Sequence, residues 1–272
     1  MSSTSLPSST QSIPVTFKIG CAGTVFYVHS ELLAAQSPSL EKLVVEHATE
    51  QNYGSVHWGD VDEAIFGRFV SYIYTGDYKE AKVVPRHGMM EYGTPDQEGS
   101  VSAVSETLSQ STDLSLDQPA QRQPNLRRRN RKRPWSQFLD LHPEQTQPEE
   151  FVDGRDDHTD LFLSNAEMYV FARKHGIESL QELSLRKLRV ALEELLLDEI
   201  NDEAIGDVAD LVKYTYKATK HQQDKEEPLR HLVTLYAACK IDILWTWQSF
   251  RDLVENNGQL SKGLITHMLC RL

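Results

Sequence analysis

The first apolar pattern in the chain has period two. Val15, Phe17 and Ile19 alternate with Thr16 and Lys18, the spacing of a strand with one buried face. Gly20-Cys21-Ala22-Gly23 predicts a turn, because glycine takes positive φ without steric cost. Val25 to Val28 is again a run of strand formers, so the two pieces predict a hairpin. Helix formers follow from Ser30 to Gln36. Ser37-Pro38 then predicts a second helix: the hydroxyl can cap it, and proline suits a first turn, where its missing N–H would be unpaired anyway. Leu40, Leu43 and Val44 share one face of that helix, and Val56-His57-Trp58 predicts a third strand. Asp60 and Glu63 have the spacing of a capping box, with Asp replacing the usual Ser or Thr. Ile65, Phe66, Phe69, Val70 and Ile73 form the apolar stripe of the next helix, which reads as core, and Gly76 predicts its stop.

Periodicity then disappears. Residues 81–160 are rich in Ser, Gln, Pro and charge, with few large apolar residues before Trp135. Such a segment buries too little surface to offset its ordering entropy, and a loop this long is uncommon inside a compact domain. It is predicted to be a disordered insertion, and residues 1–12 a disordered tail. The helical period returns at Leu161. Ser164 and Glu167 have capping-box spacing, Met168, Phe171 and Ala172 follow on one face, and Gly176 predicts the stop. Ile205, Val208, Leu211 and Val212 make a further apolar face. Pro228 opens a helix carrying Leu232, Val233, Leu235 and Tyr236, and Trp245, Trp247, Phe250, Leu253 and Val254 predict another. Two apart on one helix, the two tryptophans cannot face the same way, so at least one belongs to the core and the other is a candidate contact residue.

Charge narrows the function classes. The net charge is −12, and residues 1–79, 80–160 and 161–272 are each net acidic, so the folded parts offer no general attraction to nucleic acid. The exception is local: Arg127, Arg128, Arg129, Arg131, Lys132 and Arg133 form a basic run interrupted only by Asn130 and flanked by Pro124 and Pro134. Such a run reads as a nuclear import signal, a nucleic-acid contact or a solvated linker. Cys21, Cys239 and Cys270 are far apart and odd in number, which argues against a disulfide framework and for a reducing compartment. MSSTSLPSSTQS has no apolar core of a secretory signal, and no apolar run approaches the roughly 20 residues of a membrane span. The expected location is intracellular, in the nucleus, the cytoplasm or both.

Catalytic chemistry finds little to use. His29 could serve as a general base, but no nucleophile or carboxylate stands at a recognisable spacing from it, so it reads as structural. The histidines and cysteines form no C-x-x-C, H-x-x-x-H or H-E-x-x-H spacing, and there is no glycine-rich phosphate loop or G-x-S-x-G elbow. No enzyme, no metal and no cofactor is expected.

Two blocks carry a family resemblance. VFYVHSELLAAQSP (residues 25–38) and FGRFVSYIYTGDY (66–78) resemble the BTB/POZ domain: an aromatic-x-x-His step into Leu-Leu-Ala-Ala-x-Ser-Pro, then a short strand and a helix ending in Tyr-Thr-Gly. The form YIYTGDY is similar to that of fungal BTB proteins. AEMYVFARKHGIESLQELSLRKL resembles the closing helix pair, with Tyr169, Ala172, Gly176, Ile177 and Leu180 at the family spacing and His175 where Tyr is usual. The resemblance implies an α+β BTB/POZ fold, a small sheet with helices, followed by an all-α C-terminal extension. It divides the chain into a tail (1–12), the first part of a BTB core (13–80), the insertion (81–160), the last BTB helices (161–192) and the extension (193–272).

The resemblance also implies a protein-interaction module, a scaffold or adaptor, with a homodimer or a cullin-type ubiquitin ligase scaffold as candidate partners. Family dimers commonly use the first strand and first helix, here Val15 to Ile19 and Ser30 to Gln36, with Leu32 and Leu33 on the helix. The charged pocket of transcription-factor members is missing, since Pro14 and Ser30 stand at its Asp and Arg/Lys positions. The cullin-binding hydrophobic-x-Glu step falls on Ala48-Thr49-Glu50, where Glu50 matches and Ala48 is a poor hydrophobe. Leu43, Val44 and Val45 sweep about 200° of helix, so at least one is exposed beside Glu46 and Glu50. Candidate partner-binding residues are therefore Leu32, Leu33, Val44, Val45, Glu46 and Glu50. The alternative function is a nuclear, transcription-associated regulator imported through the basic run.

Overall fold

The computed structural model describes residues 12–49, 55–84, 134–141, 157–195, 202–219 and 227–269. The alternation at the start forms β1 (Pro14–Ile19), antiparallel to β2 (Thr24–His29). β3 (Val56–Trp58) pairs parallel on the other side of β1, giving the order β2-β1-β3. Gly20 and Gly23 both take φ of 69° in the hairpin turn, a conformation that disfavours a Cβ. Val15, Phe17 and Ile19 turn to the core, as expected.

Helix α1 (Ser30–Ala34) and helix α2 (Pro38–Thr49) follow, and the Leu40 N–H donates to Ser37 Oγ (3.2 Å), so Ser37 caps α2. Helix α3 (Glu63–Thr75) ends at Gly76 with φ 77°. Its start corrects the sequence reading. The cap is Asp62, which accepts from Ala64 N–H (2.8 Å) and Ile65 N–H (3.3 Å). Asp60 lies outside the helix and takes Lys174 Nζ at 2.5 Å. Two residues before the cap, Asp60 is too far back for its carboxylate to reach the free helix N–H groups.

Helix α4 (Pro134–Leu139) is a second correction. It lies within the span predicted to be structureless, yet Phe138 is fully buried and Trp135 packs beside it. Two aromatics on one short helix supply apolar surface that the polar remainder of the span lacks. Residues 85–133 and 142–156 lie outside the described residues. Helix α5 (Thr159–His175) and helix α6 (Glu178–Glu194) come next. α5 begins earlier than the Ser164/Glu167 pair suggested: Ser164 is inside the helix, where its hydroxyl donates to Leu161 O (3.0 Å) and accepts the Ala81 N–H (3.2 Å).

α5 is buried on two sides. Met168, Phe171 and Ala172 join Phe17, Phe66 and Phe69 in the core under the sheet. Leu161, Phe162, Ala166 and Tyr169 join a second core made by helix α7 (Asp202–Ala218) and helix α8 (Pro228–Cys239). Ile205, Val208, Leu211 and Val212 of α7, and Leu232, Val233, Leu235 and Tyr236 of α8, are buried there as expected. Polar contacts lock both sides. Tyr78 OH donates to Asn165 Oδ1 (2.6 Å), Tyr72 OH shares a bond with Ser179 Oγ (2.7 Å), and Ser37 Oγ donates to His175 O (2.7 Å). Toward α7, Asp207 accepts from His158 N–H (3.1 Å) and Thr159 Oγ1 (2.7 Å).

The chain ends in helix α9 (Ile241–Leu244), helix α10 (Gln248–Glu255) and helix α11 (Gly258–Leu269). Here a third reading changes. The tryptophans precede α10 instead of lying on it: Trp247 is its N-cap and Trp245 sits in the turn after α9. A turn frees them from helical spacing, so Trp247 packs inward, 3.0 Å from where a Cβ on Gly206 would stand, while Trp245 is exposed.

Buried Glu227 ties α5 to α8. It accepts from Tyr169 OH (2.6 Å), Arg173 Nη1 (2.8 Å) and Arg230 N–H (3.2 Å), the last capping α8. Burial, reinforced by that carboxylate, raises the Tyr169 phenol and keeps it a donor. Glu227→Ala should lower unfolding free energy by about 2–3 kcal/mol, because it strands a buried hydroxyl and removes a cap. Tyr169→Phe on top of it should add little, since the stranded hydroxyl is gone. Urea unfolding of the two variants checks both values.

Candidate protein-interaction surface

Three apolar surfaces remain uncovered among the described residues. The first follows the free edge of β2. The Ser30 N–H goes to Ile13 O (3.2 Å) and the Gly20 N–H goes to Trp58 O (3.1 Å). Both bonds set the ladder's alternation: Val28, Phe26 and Thr24 exchange bonds with β1, and the backbone groups of Val25, Tyr27 and His29 point away from it. The same three side chains share the outer face. Tyr27 is 65% exposed and Val25 46%, with Ile13 and Tyr74 exposed nearby. His29 closes the row. Its N–H (3.3 Å) and Nδ1 (2.6 Å) both meet Tyr74 OH, and it takes the N-cap position of α1. The reading of His29 as a structural residue at the strand-to-helix step fits this geometry.

The second surface is on α2. Val45 is 56% exposed, and Glu46 beside it pairs loosely with Lys42 (3.8 Å). Val44 is half-buried against the core. Of the candidate pair on α1, Leu32 is half-buried, whereas Leu33 has no exposed surface. Leu33 therefore cannot contact a partner without leaving the core, and its assignment is corrected to packing. β1 is paired along its whole length with β2 and over Phe17–Ile19 with β3, so only its Pro14–Thr16 half lacks a second strand partner among the described residues. Glu50 and the basic run, Arg127, Arg128, Arg129, Arg131, Lys132 and Arg133, lie outside the described residues.

The third surface is a groove of about 300 Å³ in the extension, lined by Ile241, Trp245, Val254, Leu264, Ile265 and Met268. Ser261 at its floor is internally satisfied, donating to Val254 O (2.6 Å). The groove thus presents apolar side chains alone.

Titratable groups are arranged for packing. The His175 ring stacks on Trp58 (4.4 Å between centroids) and against Phe171 (4.5 Å), with its Nε2 unpaired among the described residues. Burial, then neighbouring Lys174, pushes its pKa down to about 4. Burial also raises Tyr78, whose ring lies under Lys187. His158 is buried with both ring nitrogens unpaired among the described residues, stacked on Phe162 and 3.8 Å from Asp207. No group of three His, Cys, Asp or Glu side chains that could hold a metal ion occurs among the described residues. No helix among them is long and apolar enough to cross a membrane.

A hairpin followed by paired helices, a parallel third strand and a capped helix stopping at Tyr-Thr-Gly is a recognisable interaction fold. Residues 6–86 match the family model of the BTB/POZ domain, and this part of the chain is such a domain, a protein–protein interaction module. No curated protein and no solved structure matches the chain. The matched range ends before α5 and α6, yet Met168, Phe171, Ala172, Ile177 and Leu180 complete the same core. The sequence reading missed Val25, Tyr27 and Tyr74 as surface residues. The signal was there: Val25 and Tyr27 have the same parity as His29, and so share its face.

His175 gives this core a pH signature. An unfolded histidine takes its proton near pH 6.5, and the folded one near 4. Its contribution to stability is therefore complete above about 6.5 and is lost as pH falls toward 4, at about 1.4 kcal/mol per unit. His175→Phe should remove that slope. Chemical unfolding of both forms at pH 7, 6, 5 and 4 should show the variant gaining relative stability as pH falls.

Proposed function

We propose that the protein is a non-catalytic scaffold or adaptor, with a cullin-type ubiquitin ligase scaffold as the candidate partner of its BTB domain. The observation that carries the reading is the fusion, through α5, of the BTB core to a helical extension with its own apolar groove. An adaptor needs two surfaces held in one body, and this construction supplies them. On the BTB side, α2 supports the reading: exposed Val45 beside charged Glu46 has the apolar centre and charged rim of an interface, with Glu50 following in sequence. With a purified cullin scaffold, Val45→Asp and Glu50→Lys should each weaken binding by about tenfold without shifting the thermal midpoint. Equal binding by both variants, or no binding by the native chain, would reject the cullin assignment.

The basic run favours a second reading, a nuclear regulator. A dense positive segment suits the acidic groove of an import receptor. Replacing Arg127, Arg128, Arg129, Arg131, Lys132 and Arg133 by alanine should move a fluorescent fusion toward the cytoplasm. An unchanged distribution would leave the run as linker.

A further inference from the structure

We propose that two copies of this chain pair edge to edge through β2, antiparallel about a two-fold axis at Phe26. The proposal rests on the BTB domain being an interaction module, and not on the adaptor role or on a cullin partner. It also places self-association at β2 instead of at Leu33, which is buried in the core.

The edge itself is the first argument. Natural edge strands are protected by charge, proline, a bulge or a cover. From Thr24 to Val28, β2 reads TVFYV, with no charge and no proline. Its outer face carries two exposed large side chains, Val25 and Tyr27. The backbone groups of those same residues face away from β1, by the alternation set at Ser30 and Gly20. The third outward residue, His29, is already taken by Tyr74 OH.

The open residues select the register. Opposing Val25 to the partner's Tyr27 uses both open residues of each chain, and each of them then donates and accepts once across the new ladder. The His29 to Tyr74 contact stays intact. The residue arriving opposite His29 is the partner's Gly23, which has no side chain to strike Tyr74. A shift of two residues either way opposes Tyr27 to itself and calls on His29, or opposes Val25 to itself and leaves Tyr27 facing Gly23.

Side chains and charges agree with that register. On the outer face Val25 meets Tyr27 twice, the β-branched–aromatic pairing favoured across strands. On the core face half-buried Phe26 meets its own copy, extending the core across the axis. The rows run Lys18, Val25, partner Tyr27, partner Thr16, and the reverse, since Lys18 pairs with Val25 and Thr16 with Tyr27. The two lysines therefore end in different rows at opposite sides, and no like charges meet. The occupant that fits this edge is the edge itself.

The test uses the full chain. Light scattering and analytical ultracentrifugation across about 1–100 μM should show a reversible dimer. Tyr27→Pro removes only an edge N–H and leaves the β1 ladder, and Val25→Lys adds a charge that would face the partner. Each enters the interface twice, and each should weaken association by at least about tenfold with the thermal midpoint unchanged. Hydrogen exchange of the native chain keeps the test independent of variant folding: the Val25 and Tyr27 amides should slow as concentration rises. A monomer throughout, a dimer unaffected by both substitutions, or Val25 and Tyr27 exchange independent of concentration would overturn the proposal.

Discussion

The structure depends on one helix having two buried sides. A surface helix needs a single apolar stripe, but α5 buries Phe171 and Ala172 against the sheet and Phe162 and Tyr169 against the extension. Neither core closes without it. The BTB side would lose the aromatic that meets Phe69 at 4.8 Å, and the extension would lose the Tyr169 hydroxyl held by Glu227. The polar residues of α5 fit the same constraint. Asn165 is fully buried, yet it is satisfied by Tyr78, Glu80 and its own helix.

That arrangement turns an interaction domain into part of a larger body. The exit from Tyr-Thr-Gly is stitched to α5 by Tyr78, and the Ala81 N–H ends on Ser164. Asp77 and Lys187 add an ion pair at 3.1 Å from α6. Whatever binds the BTB surface therefore acts on a frame that also carries the groove between α9 and α11. α11 is held to α8 closely enough that a Cβ on Gly263 would stand 2.9 Å from Thr234 Cγ2.

Much of this was legible in the chain. Period two at Val15, Phe17 and Ile19 gave the buried face of β1, and Ser37-Pro38, Gly76 and Gly176 marked real helix ends. The misses share a cause: local pattern cannot see tertiary partners. Asp60 and Ser164 matched capping-box spacing, but one was claimed by Lys174 and the other by the Ala81 N–H. Trp245 and Trp247 looked helical because they lead into the apolar stripe of Phe250, Leu253 and Val254, but they lie in the turn between α9 and α10, one exposed and one packed inward. Leu33 resembled a surface residue beside Leu32 because a five-residue helix is too short to display a period. The two-sided burial of α5 was hidden for the opposite reason. A helix apolar on both sides has no polar face to set its phase.

Native-state hydrogen exchange in rising denaturant tests this dependence most directly. If α5 makes one folding unit of both cores, the best-protected amides of β1, α5 and α8 should converge on a single opening free energy and a single denaturant slope. Amides of α8 that open at a lower free energy, while α5 and β1 stay closed together, would contradict it.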